Sequence, residues 1–183
     1  MEFRLFYRGP LKSNGNPAEK QSVRRQFHPQ LKKLWSQKPL EGHAAYLDEN
    51  SGRVHLVYPL SSFKFACLVS ERHKTYAELD ILFLRPEPAG QIIKSGGGDI
   101  DNRLKTLFDG LRCPMLENEI VKGDIPQPDE MPFHCLLSDD ALITKVTIAT
   151  DQLLDANSHD EVVLVIHVHI KSRNTTWNSM GFF

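Results

Sequence analysis

The chain has 183 residues, 40% of them hydrophobic and 25% charged, with a formal net charge of −1. Those values fit one soluble globular domain that buries its own core, and exclude a disordered, collagen-like or disulfide-stapled chain. Cys67, Cys113 and Cys135 are odd in number and widely spaced, which predicts free thiols in a reducing, cytoplasmic setting. Glu2, Arg4 and Arg8 interrupt the first apolar residues and no run of about 18 apolar residues exists, so neither a signal peptide nor a membrane span is predicted.

In chain order, EFRLFYRG (Glu2–Gly9) alternates like a strand and ends at Gly9-Pro10. KSNGNPAEK reads as a loop, with Pro17 opening the next helix. From Ala18 to Gln37, Val23, Phe27, Leu31, Leu34 and Trp35 recur at helical spacing, while Pro29 predicts a kink or two shorter helices. Arg24, Arg25, Lys32 and Lys33 fall largely off that stripe, as phosphate contacts or as a plain solvated face. Phe27, Trp35 and Tyr46 are candidates for stacking on bases, although aromatics at such spacing usually serve the core.

RVHLVYPL (53–60), KFACLVSE (64–71) and YAELDILFLR (76–85) follow as strands, with connectors short enough for antiparallel neighbours. A Pro/Gly loop then feeds GGGDIDNRLKTLFDGL (96–111), a helix opened by acids. Residues 112–138 carry four prolines and little periodicity, which predicts an irregular insert. ALITKVTIA (141–149) and EVVLVIHVHI (161–170) complete the strands, and 172–183 form a polar tail. The expected fold is α+β: one domain over 1–171, with a mixed, mostly antiparallel sheet of about five or six strands and two principal helices.

Charge is unevenly distributed. Residues 1–38 carry a net +7 and residues 99–161 a net −9, as expected of an enzyme acting on a polyanion with metal ions, or of two solvated faces. On the acidic helix, at about 100° per residue, Leu104, Leu107, Phe108 and Leu111 form a buried stripe, and Asp101, Lys105 and Asp109 share one polar edge. Asp99 precedes them in a glycine-rich loop, and Asp139-Asp140 open a later strand. If that strand lies near the helix start, Asp99, Asp101 and Asp140 supply the oxygen ligands that Mg²⁺ prefers, with Lys105 as a fixed cation beside a phosphate. A purely structural account also fits: Asp99 caps the helix, Asp101 complements its dipole, Lys105 pairs with Asp101 four residues on, and Asp139-Asp140 form a turn.

Other motifs carry less. Cys113, His134 and Cys135 lack the paired spacing of structural zinc sites. His167 and His169 alternate with apolar residues on a strand, which points to a place on a sheet face. No nucleophile elbow or phosphate loop is present.

Asp99-Ile-Asp101-Asn102-Arg103-Leu104-Lys105, then Phe108-Asp109, then Asp139-Asp140 before a strand, resembles the RusA-type Holliday-junction resolvases. The resemblance covers roughly 99–109 and 139–143. It implies a RusA-like nuclease domain and a homodimer that cuts branched DNA, with Mg²⁺ (or Mn²⁺) as cofactor. It implies Asp99, Asp101 and Asp140 as metal carboxylates, Lys105 as the catalytic lysine, Asn102 as a DNA-side residue, and Asp109 or Asp139 as auxiliary acids. The insert at 112–138 is longer than that family's usual connector, and glycine precedes the first aspartate where a basic residue or proline is usual. A catalytically inactive module of the same fold, binding nucleic acid or protein, is the alternative.

Overall fold

A computed structural model describes residues 1–51, 55–88 and 100–173. Strict alternation builds its larger sheet. In β1 (Glu2–Pro10) Leu5 and Tyr7 face inward, and in β4 (Thr75–Arg85) so do Ala77, Leu79, Ile81 and Phe83. Leu164, Ile166, Val168 and Ile170 do the same in β7 (Glu161–Ser172). A period of two puts these residues on one face, and together they form the floor of the main core.

With β6 (Ile143–Gln152) the sheet order is β1-β7-β4-β6; β7 runs antiparallel to both neighbours, and β6 parallel to β4. A smaller sheet, ordered β2-β3-β5, is made of β2 (Val57–Leu60), β3 (Phe63–Val69) and β5 (Phe133–Leu137). β5 lies parallel to β3 and is buried throughout, so both its faces are covered.

Two helices pack between these sheets among the described residues. α1 (Pro17–Leu34) has Pro17 in its first position, as expected from the sequence, and an Asn16/Glu19 capping box that lies outside that expectation. It is one helix running through Pro29, not two shorter ones. Burial of Phe27, His28 and Leu31 on either side of the proline holds the segment together. α2 (Ile100–Leu111) packs on α1, and α1 also touches β1 and β5. The approach is close: a Cβ on Gly110 would lie 2.5 Å from Val23 Cγ1, and one on Gly15 would lie 2.6 Å from Thr106 Cγ2.

The α+β class with two principal helices agrees with the sequence. The seven strands among the described residues, though, are shared between two sheets. β3 and β4 do not pair, because the turn at Glu71–Lys74, with Lys74 at φ 53°, passes the chain from one sheet to the other. The expected irregular insert contains β5, whose hydrophobic run Phe133–Leu137 is too short for a periodic signal. No helix among the described residues is long and apolar enough to cross a membrane. The tail at 174–183 lies outside the described residues.

Candidate functional site

α2 is fixed by its apolar stripe: Leu104, Leu107 and Leu111 are buried in the main core and Phe108 packs against it. Arg103, between two expected site residues, is also buried, and its Nη2 lies 3.5 Å from Glu87 Oε1 just beyond β4. Nothing in the residue pattern marked Arg103 as internal; the tertiary packing around it does.

With those residues turned inward, Asp101 and Lys105 are exposed on the first turns of α2. Asp101 Oδ1 accepts the backbone N–H of Asn102 at 2.8 Å. The carbonyl of Asn102 accepts from Thr106 Oγ1 and from the backbone N–H of Asn14, tying the helix start to the loop before α1. Among the described residues no ion pair engages Lys105. Asp99 and the glycines before it lie outside the described residues.

The downstream acid pair meets this helix. Asp139 caps a short 3-10 turn (Asp140–Leu142) by accepting the N–H of Ala141 at 2.8 Å, and that turn packs against α2. Asp140 is exposed as a residue, yet its carboxyl is pushed above its ordinary value. Protein mass around the carboxyl is the main cause, followed by its hydrogen bond with Asp139. Arg112 draws it back down, while the charges of Asp139 and Asp109 raise it.

Asp109 does not share the exposed edge of Asp101 and Lys105. It is 6% exposed, with Lys20 Nζ 2.7 Å away and Arg112 Nη2 3.0 Å away. The carboxylate ties α1 to α2 and is occupied by two cations. Among the described residues neither Asp101 nor Asp140 belongs to a group of three ligand atoms within 4.8 Å of one another. The third expected carboxylate, Asp99, is not among them.

The expected phosphate contacts divide. Arg24 is corrected: it is 3% exposed, donating from Nη2 to the carbonyl of Asp109 at 2.7 Å and from Nε to the carbonyl of Arg112 at 2.9 Å. A cation there satisfies the orphan carbonyls at the C-terminus of α2. Arg25 is half-buried, and its guanidinium pairs with Asp124 at 2.8 Å and Glu130 at 2.9 Å. Lys32 and Lys33 are exposed; Lys32 donates to the carbonyl of Asp129. Phe27 is buried, and Trp35 and Tyr46 pack partly buried against the core, so all three serve packing.

Part of the uneven charge is therefore spent inside the molecule. The basic face of α1 clamps the acidic insert through Arg25, Lys32 and His28, whose Nε2–H donates to the carbonyl of Asp129 at 3.2 Å. Arg112 makes a two-pronged contact with Glu119 and holds that carboxyl down at about 2. Cys67, Cys113 and Cys135 are free thiols buried together in a second apolar cluster beside β3 and β5. Comparison with protein-family models, with curated proteins and with solved structures finds no match to this chain.

Proposed function

We propose that this chain is a divalent-metal-dependent endodeoxyribonuclease that cuts branched DNA, with four-way junctions as the first substrate, and that it acts as a homodimer. The observation that carries the reading is the packing of the Asp139-Asp140 turn against α2, which brings the downstream acid pair to the acidic helix across about thirty residues of intervening chain. Exposure of Asp101, Lys105 and Asp140 supports it, because a polymeric duplex needs an open surface.

The donors fit a hard cation in type. They are carboxylate oxygens, the ligand type such ions prefer. Asp99, Asp101 and Asp140 would hold the ion. When bound, it supplies Lewis-acid activation of the phosphodiester and of water. Lys105, projecting from the same helix, offsets negative charge gathering on the phosphate as the bond breaks. The backbone contacts of Asn102 hold the helix start in place. Asp109 acts by fixing α1 against α2, not by touching the phosphate.

The test is cleavage of labelled four-way junction, fork and linear duplex DNA with Mg²⁺. Paired nicks in the junction, reduced roughly 10²-fold or more in Asp101→Asn, Asp140→Asn and Lys105→Met, are expected. Cleavage of forks instead changes the substrate and keeps the mechanism. Binding without cleavage, unchanged in all three variants, overturns the reading in favour of a binding module.

A further inference from the structure

The outer face of the larger sheet carries a second group of metal-ligating side chains, assembled from three strands. Register places Glu2 of β1 opposite His169 of β7, Arg4 opposite His167, and Asp80 of β4 on the other side of His167. His167 and His169 are two apart on one strand, so both imidazoles leave the same face, with ring centroids 4.0 Å apart. They converge on one oxygen: Glu2 Oε2 lies 3.3 Å from His167 Nε2 and 3.2 Å from His169 Nδ1. Among the described residues this is the group whose three ligand atoms all lie within 4.8 Å of one another.

We propose that Glu2, His167 and His169 form a binding site for a zinc-class transition-metal ion. Zinc binds imidazole nitrogen and carboxylate oxygen at about 2.0–2.2 Å, so neighbouring ligands in a tetrahedral site stand about 3.3–3.5 Å apart. The two Glu2 separations nearly match that edge. Two imidazolium cations would repel at this spacing, whereas two neutral rings sharing one ion with a carboxylate are stabilised.

A supporting contact selects the tautomer. Asp80 Oδ2 lies 3.2 Å from His169 Nε2. With the Nε2–H donating to that carboxylate, the lone pair sits on Nδ1, the nitrogen that faces Glu2. The competing carboxylate of Glu78 is drawn off by Lys171 at 2.7 Å. Solvent reaches the group, with 24% and 27% of the two histidine side chains exposed, which leaves room for a water or an outside ligand at the fourth position. The site uses none of Asp101, Lys105 or Asp140 and stands independently of the nuclease reading.

The experiment is titration of chelator-stripped, tag-free protein with ZnCl₂ by calorimetry, and with Co²⁺ by visible absorption. One saturable site is expected, with a Co²⁺ spectrum of nitrogen and oxygen ligands. His167→Ala or His169→Ala should weaken binding about 10-fold or more, and Asp80→Asn roughly 10- to 100-fold. Asp140→Asn should leave it unchanged, and the exposed substitutions should preserve the circular dichroism of the fold. Absence of saturable binding overturns the proposal. So does binding that survives both histidine substitutions, or a thiolate-to-metal charge-transfer band, which would put the ion at Cys67, Cys113 and Cys135.

Discussion

Arg24 sets its guanidinium against the last carbonyls of α2, where the helix dipole is negative and two acceptors would otherwise be buried without partners. Arg24→Leu keeps the apolar stem but orphans both carbonyls, so unfolding by urea should show a loss of about 2–4 kcal/mol. Lys32 and Lys33, one helix face away, are exposed. Lys33→Ala should move stability by less than about 0.5 kcal/mol. If Lys33 contacts a phosphate, the same substitution lowers the salt dependence of junction binding by about 0.9 in the slope of log K against log salt. Arg24 and Lys33 are both basic and lie off the apolar stripe of one predicted helix, so the sequence could not separate them. The off-stripe position that suggested solvent for Arg24 is covered by α2, which arrives from about eighty residues later in the chain.

Helix α2 and the insert beyond it are held by α1 in two ways. One is steric. Gly110 faces Val23 at a distance that leaves no space for a methyl group. Alanine in a helix normally gains about 1 kcal/mol over glycine, whereas forcing a methyl into packed atoms costs about 1–3 kcal/mol. Gly110→Ala should therefore destabilise by up to about 2 kcal/mol, and adding Val23→Ala should recover part of that loss, as a double-mutant cycle would measure. The other hold is ionic. Arg25 pairs with both Asp124 and Glu130, and Glu130 also accepts the N–H of Gln127, so the loop is pinned at several points. Arg25→Ala should speed tryptic cleavage after Lys122, while Lys33→Ala should not. The amphipathic stripe of α2 was legible because period 3.6 belongs to the local sequence. The clamp was not, since a pairing between residues a hundred positions apart leaves no local trace.

For the molecule as a whole, three buried histidines set the response to acid. Burial holds His134 down at about 3 and His73 at about 4 from an ordinary value of 6.5, and lowers His28 as well. His28 Nδ1 accepts the backbone N–H of His134 at 2.8 Å while its Nε2–H donates to Asp129, so the neutral ring is the one that fits. The unfolded chain takes up protons near pH 6.5 and the folded chain only well below it. Stability is therefore full above about 6.5 and declines as pH falls toward the folded values. By pH 5, His134 and His73 should each have withdrawn about 2 kcal/mol. Below pH 4.5 the loss deepens as the Glu119 carboxylate, stabilised by Arg112, is protonated toward its value of about 2. Urea midpoints between pH 7.5 and 4 would measure this decline, and His134→Gln should flatten the upper part of the curve.

Legible in the residues alone were the α+β class, the alternating strands β1, β4 and β7, the Pro17 start of α1, and the spacing of Asp101, Lys105 and Asp139-Asp140. All of these rest on local periods, caps and motif spacing, which a single stretch of chain carries. Only the tertiary structure decided that the strands divide into two sheets and that β5 lies within the proline-rich insert. It also turned Arg24, Arg103 and Asp109 inward, and brought Glu2 to His167 and His169. Burial and convergence depend on which distant segment covers a residue, and strand register sets which side chains meet across a sheet. Both are settled when the core closes.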